Sequence, residues 1–245
     1  MYFAPHPASE WWQAGSAWLG RCAATGRALP QPVVPGVPPE LMAQLTAAPA
    51  RYGWHATLKA PFTLADGVGV ADLEQGLAQV CAALPAFTLP PLQVARLRHF
   101  LALVPEAPSP HLQQVADACV TQLHPLAAPL PPSELVRRRG GGLSDRQEAL
   151  LQAWGYPQVF EQFRFHCSLT GNLDALPQAT KDAVADALEA AARDWFGALP
   201  PCRFEAVSLF EEPGRGQPMR LVSQWPLAQP EPDRAQIQVQ PGVNA

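Results

Sequence analysis

"YGWHATLKAPF", residues 52–62, sets a histidine and a threonine two positions apart inside an apolar, extended-looking run. Successive side chains on a strand point to opposite faces, so His55, Thr57 and Lys59 share one face and Trp54, Ala56 and Leu58 pack on the other. "FRFHCSLTG", residues 163–171, repeats the pattern. There His166, Ser168 and Thr170 share a face, and Phe165, Cys167 and Leu169 oppose it. Each strand therefore has one core face and one polar face. If the two polar faces meet, two imidazoles and two hydroxyls converge in one cleft.

The elements around the two motifs recur in the same order. After His55, "ADLEQGLAQVCAAL" (71–84) has helical spacing, with Leu73, Leu77, Val80 and Leu84 on one face. Strands near Val94 and Leu101 follow, within 87–97 and 99–104. After His166 come a helix over 177–196 and strands over 202–211 and 219–226. The distance from histidine to strand is 39 residues in the first half and 41 in the second, read from His55 to Val94 and from His166 to Val207. The repeat predicts an α+β fold of two pseudo-symmetric lobes, each an antiparallel sheet with helices on its outer face, with the site in the cleft between them. The motif strands are predicted over 52–64 and 163–170. Outside the repeat, the pattern predicts a short strand at "MYFAP", a helix from the Ser9 cap to Arg21, and further helices over 39–46, 110–124 and 143–155. Residues 28–39 and 125–133 are Pro-rich and read as loops. Residues 1–227 read as a single bilobal domain, and 228–245 as a polar, disordered tail.

The bulk numbers exclude several classes. The chain has 245 residues and is 48% hydrophobic, enough for a substantial core. Its net charge of −4 argues against a stable nucleic-acid complex. No apolar run reaches the roughly 18 residues of a membrane span, and no basic and apolar leader is visible. The five cysteines are scattered and form no CxxC, which fits reduced thiols and a cytoplasmic location. HExxH, a Cys–His cluster, a P-loop and GxGxxG are all missing from the sequence, so neither a metal nor a cofactor is expected. The oligomeric state stays open, with a monomer favoured.

The quartet suits chemistry at phosphate. A neutral imidazole takes a proton from an attacking oxygen, and an imidazolium gives one to the leaving oxygen. Hydroxyls donate to the non-bridging oxygens, where charge builds in the transition state. With six His in the chain, composition predicts about 0.4 His-x-Ser/Thr by chance. Two occur, in matching places of the repeat. His55 and His166 are the candidate acid–base pair, which of them is acid being left open, and Thr57 and Ser168 the candidate phosphate donors. Lys59 and Thr170, on the same faces, are candidate substrate contacts. Tyr2, Tyr52, Trp54 and Phe100 read as core or cleft wall, Tyr2 also as a possible substrate contact. "RRRGGG" (137–142) reads either as an anion-binding lid or as a solvated turn.

"HATL" and "HCSL" resemble the paired signatures of the two-histidine phosphoesterase superfamily, which includes bacterial RNA 2′,3′-cyclic phosphodiesterases. Together with "RQEALLQAWGYPQVFEQFRFHCSLTG" (146–171), they look more specifically like an uncharacterised branch found in phosphonate-utilisation operons. The resemblance covers most of residues 1–226. It implies a two-lobed fold and adds Tyr156 as a pocket residue. Ser168 stands where Thr is commoner, and Gln158 where Tyr is expected. The resemblance implies a metal-independent phosphoric diester hydrolase acting on a cyclic phosphate or small phosphodiester, with a small phosphorylated substrate from phosphonate metabolism. RNA-end 2′,3′-cyclic phosphodiesterase activity and non-catalytic binding of a phosphorylated metabolite are the alternatives.

Overall fold

The structure is a computed structural model that describes residues 1–229. All but the first two residues of the tail expected over 228–245 lie outside the described residues.

In chain order the elements are β1 (Tyr2–Phe3), α1 (Glu10–Leu19), α2 (Pro39–Tyr52), β2 (Ala56–Thr57), α3 (Val70–Ala82), β3 (Phe87–Thr88), β4 (Leu92–Leu97), β5 (Phe100–Pro105), α4 (Pro110–Leu123), α5 (Pro132–Arg139), α6 (Asp145–Trp154), β6 (Cys167–Ser168), α7 (Gln178–Gly197), β7 (Arg203–Phe204), β8 (Ala206–Glu211) and β9 (Arg220–Pro226). The helices start where the sequence caps them: Ser9 accepts the Trp12 amide, and Ser144 exchanges hydrogen bonds with Gln147 in a capping box.

Seven strands form one antiparallel sheet in the order β4-β5-β6-β2-β1-β8-β9, and β3 pairs with β7 separately. The registers align one row of side chains across six strands: Val94, Leu103, Cys167, Ala56, Phe3 and Val207. None is more than 8% exposed. This is the apolar alternate of both motifs, and it joins the main core. Against that core α3 packs on α4, β8 and β9, α7 on β4, and α1 on α2 and α7. Trp54 stacks on Phe196 at 5.4 Å, and it fits because position 15 is glycine: a Cβ there would lie 2.0 Å from the indole.

The α+β class and the antiparallel pairing agree with the sequence reading. The strands do not divide into two sheets, one per sequence half. The β4–β5 hairpin of the first half joins β6 of the second, while β8–β9 of the second joins β1 and, through it, β2. The motif strands pair directly, Ala56 opposite Cys167.

The motif strands are also shorter than predicted, for a visible reason. The expected helix over 39–46 continues through Pro49 to Tyr52, and Gly53, at φ +82°, turns the chain into β2. Past Thr57 the amides of Leu58 and Lys59 both donate to the Met1 carbonyl, each at 3.0 Å. Past Ser168 the amides of Leu169 and Thr170 both donate to the Leu101 carbonyl, at 2.8 and 3.3 Å. Two residues opposite one acceptor make a bulge, which breaks the strict alternation. Residue 59 thereby leaves the face that carries the histidines, whereas Thr170 stays at the cavity that His166 lines.

Candidate active site

Antiparallel pairing, rather than two lobes closing on each other, assembles the quartet. Extending the Ala56–Cys167 register by one residue each way sets His55 opposite Ser168 and Thr57 opposite His166. All four then lie on the face opposite the apolar row. The histidines are diagonal neighbours, with α-carbons roughly 7–8 Å apart, enough for a phosphate between their ring tips. All four line one cavity of about 560 Å³.

The imidazoles are held alike. His55 Nδ1 lies 2.8 Å from the Gly53 carbonyl, and His166 Nδ1 lies 2.8 Å from the Arg164 carbonyl. A carbonyl only accepts, so each Nδ1 carries its proton and donates. Each neutral ring thus presents an unprotonated Nε2. Gly53 has two tasks here: it turns the chain and it pins the ring. A Cβ at position 53 would lie 2.4 Å from the Cβ of Ala23, and its positive φ is strained for any other residue. The Thr57 hydroxyl is 3.5 Å from His55 Nε2, at the outer limit of a hydrogen bond, and is available to a ligand.

The surroundings of the two rings differ. His55 is packed by Tyr2 (ring centroids 4.3 Å apart), Tyr52 (5.9 Å) and Phe210 (6.3 Å). Burial lowers its pKa from 6.5 to about 4; the Gly53 carbonyl opposes the shift and His166 adds to it. His55 is therefore neutral at pH 7. His166 has the single aromatic neighbour Phe100, at 5.7 Å, among the described residues.

The other predicted contacts are placed as follows. Tyr2 is a wall: its ring lies against His55, and its hydroxyl points away to the Met219 sulfur at 3.5 Å. Trp54 is core, 1% exposed, whereas Tyr52 and Phe100 line the cavity. Tyr156 and Gln158 also line it. Thr170 lines the cavity too; it is largely buried, and its hydroxyl accepts the Leu101 amide and donates to the Gly171 carbonyl, both at 3.0 Å. Lys59 is not on the histidine face. It lines a second cavity, because the bulge turns it away.

The arginine run is neither free lid nor turn. Arg137, Arg138 and Arg139 form the last turn of α5, where positive charge suits the helix dipole. Arg137 and Arg138 pair with Glu134, and Arg139 pairs with Glu148. Arg138 also reaches the Gly155 carbonyl and the Pro61 carbonyl, joining three segments at the cavity wall. Arg137, Arg138 and His99 line the histidine cavity, and among the described residues neither Asp nor Glu does. The His-x-Ser/Thr pattern does not pick out His99, because no hydroxyl follows it at two residues. Its signal is instead its place in the β4–β5 turn, which brings it to the cavity and into contact with Asp174. In a chain of net charge −4, this pocket is locally cationic.

Among the described residues, no group of three or more His, Cys, Asp or Glu is arranged to hold a metal ion. Nor is any helix there long and apolar enough to cross a membrane.

Known proteins bear on this site. A curated protein of Janthinobacterium sp. (strain Marseille), named ribose 1,5-bisphosphate phosphokinase PhnN, is 42% identical over 220 residues, covering 89% of this chain and 48% of that protein. One of the same name from Laribacter hongkongensis (strain HLHK9) is 39% identical over 221 residues, covering 90% and 50%. This chain spans about half the length of these relatives. Their name corrects the expectation of a phosphoric diester hydrolase: a phosphokinase is a transferase. The family model described as protein of unknown function (DUF1045) matches residues 57–220, which include Thr57, His166 and Ser168, and begins two residues after His55. The chain belongs to that family.

Proposed function

We propose that the cleft receives a small phosphorylated metabolite, and that His55 and His166 move protons on its phosphate-ester oxygens as the phosphoryl group passes from one oxygen to another. The observation that carries this reading is the pairing of β2 with β6. It sets two Nδ1-pinned imidazoles and two hydroxyls on one face of a cationic cavity.

The roles divide by environment. His55, neutral and with Nε2 free, takes the proton of the attacking hydroxyl. His166, at the other end of the diagonal, gives a proton to the leaving oxygen. Thr57 and Ser168 donate to the non-bridging oxygens, and Arg137 and Arg138 supply positive charge along the wall. This is the proton economy of the two-histidine superfamily that the motifs resemble, without its hydrolytic outcome. A phosphorylated ribose is the substrate class supported by the relatives' name, and phosphonate metabolism is the setting supported by the operon branch.

Phosphorus NMR tests the proposal. Purified protein is incubated with ribose 5-phosphate and ribose 1,5-bisphosphate, each with and without magnesium ATP. The expected result is a new phosphorus resonance that fails to form with His55→Ala or His166→Ala, both variants still folded. Undiminished conversion by both variants, or no conversion and no binding of any member, overturns it.

A further inference from the structure

Lys59 leads to a second site. The chain has only two lysines, Lys59 and Lys181. Lys181 is exposed enough to pair with Asp174. Lys59 is 5% exposed and makes no ion pair or side-chain hydrogen bond among the described residues. Its ammonium sits 5.0 Å from the centroid of the Phe62 ring. A buried ammonium without an anion is costly, and proteins ordinarily pair it.

The cavity that Lys59 lines has a volume of about 480 Å³ and adjoins the histidine cavity, sharing Ala60, Pro61, Arg138 and Tyr156 as a partition. Arg138 and Arg139 lie on its wall, and among the described residues neither Asp nor Glu lines it. His124 lines it too. Lys59, buried and without a partner among the described residues, thus borders a cavity that offers donors and positive charge but no acid. Apart from Gln152 and Tyr156, the rest of the lining, Phe62, Trp154 and Leu130 among it, is apolar and strengthens the field of a buried charge.

We propose that this second cavity is an oxyanion site, with Lys59 as the counter-charge of a phosphate or carboxylate group. The group arrives either as the far end of a ligand whose other phosphate sits at the histidines, or as a separate small anion. The proposal does not depend on the chemistry at His55 and His166. Burial holds the Lys59 amine at a pKa of about 8, so near pH 8 it reacts readily with an acylating reagent.

The two-lysine composition gives the experiment an internal standard. Wild-type protein is treated with a limiting acetylating reagent at pH 8, alone or with inorganic phosphate, acetate, a sugar monophosphate or a sugar bisphosphate at matched ionic strength. Acetylation of Lys59 and Lys181 is read by peptide mass spectrometry. The expected result is at least fivefold protection of Lys59 by an oxyanion, with Lys181 unchanged. Protection by phosphate or acetate alone identifies a separate anion; protection by the bisphosphate only identifies the far end of one ligand. Equal labelling of Lys59 under all conditions overturns the site, as does a Lys59 that is never labelled because its amine is sealed. A second readout is Lys59→Met, a change of similar shape that removes a buried charge and should not unfold the protein. It is expected to weaken binding of the protecting anion at least tenfold, and unchanged affinity overturns the proposal.

Discussion

The two motif segments, 53–59 and 164–170, are alike in backbone and unlike in setting. Both pin Nδ1 on a carbonyl two residues back, and both end in a bulge with two amides on one carbonyl. Yet three aromatic rings enclose His55 and one flanks His166. Four residues after the histidine, the first segment carries a buried lysine without a partner among the described residues and the second a buried threonine bonded twice to backbone. The shared backbone delivers the same ring geometry twice. The divergent side chains then enclose His55, whose pKa burial lowers, and set Lys59 at a second cavity.

The severest test of this likeness is removal of each ring. If both work on the same phosphate, His55→Ala and His166→Ala each lower turnover about 10²–10⁴-fold, and the double variant is little worse than either single one, because the pair acts as a unit. Independent, multiplicative losses break the comparison. Steady-state rates for the three variants, with circular dichroism to confirm folding, decide it.

A smaller effect tests the difference between the rings. The folded-state pKa of His55 lies below its unfolded value, so between the two the unfolded chain binds a proton that the folded chain refuses. Its contribution is present above about pH 6.5 and is lost as pH falls towards 4, at most about 3 kcal/mol. Urea unfolding of wild type at pH 7, 6, 5 and 4 should therefore show a steeper loss than His55→Gln. Parallel curves mean that the aromatic enclosure does not govern the ring.

Positions 59 and 170 sharpen the comparison by sign. Thr170→Val keeps the shape but takes away the acceptor of the Leu101 amide, at a cost of about 1–3 kcal/mol. Lys59→Met removes a charge held in a buried setting and is expected to raise stability at pH 7. The gain should shrink between pH 8 and 10.5, where the folded lysine is already neutral while the unfolded one still holds its proton. Thermal unfolding of both variants checks it, and the same sign for the two at pH 7 would sink the assignment of Lys59 as an unpaired buried charge.

The legible part of this molecule is what alternation and spacing encode. The period-2 pattern around His55 and His166 gave the core row and the polar quartet, and the 3.6-residue pattern of Leu73, Leu77 and Val80 gave α3. The strand partners were not legible, because nothing local says that β5 pairs with β6 rather than with β2. The fate of Lys59 was hidden for a related reason: the bulge depends on the Met1 carbonyl, 58 residues away, and one extra residue flips every later side chain. The arginine run misled because its glycines suggested a loop, while Pro132 and Glu134 start a helix that delivers Arg138 to the cavity wall.

The gentlest change exchanges the two hydroxyl residues. On the ladder Thr57 stands beside buried Tyr2, whereas Ser168 stands beside Ala102. The threonine methyl therefore has an aromatic wall to fill against and the serine has a small neighbour. Thr57→Ser should cost about 0.5–1.5 kcal/mol of stability for the lost methyl, while Ser168→Thr, at a half-buried place beside open cavity, should change it by less than about 0.5 kcal/mol. Both keep a hydroxyl donor on the cavity face, so turnover should stay within about threefold of wild type in each. Steady-state kinetics and thermal unfolding of the two variants measure this. A tenfold loss of turnover in Ser168→Thr would mean that the second motif needs the space beside Ala102 as well as the donor, and the two segments would then differ in how they hold the phosphate.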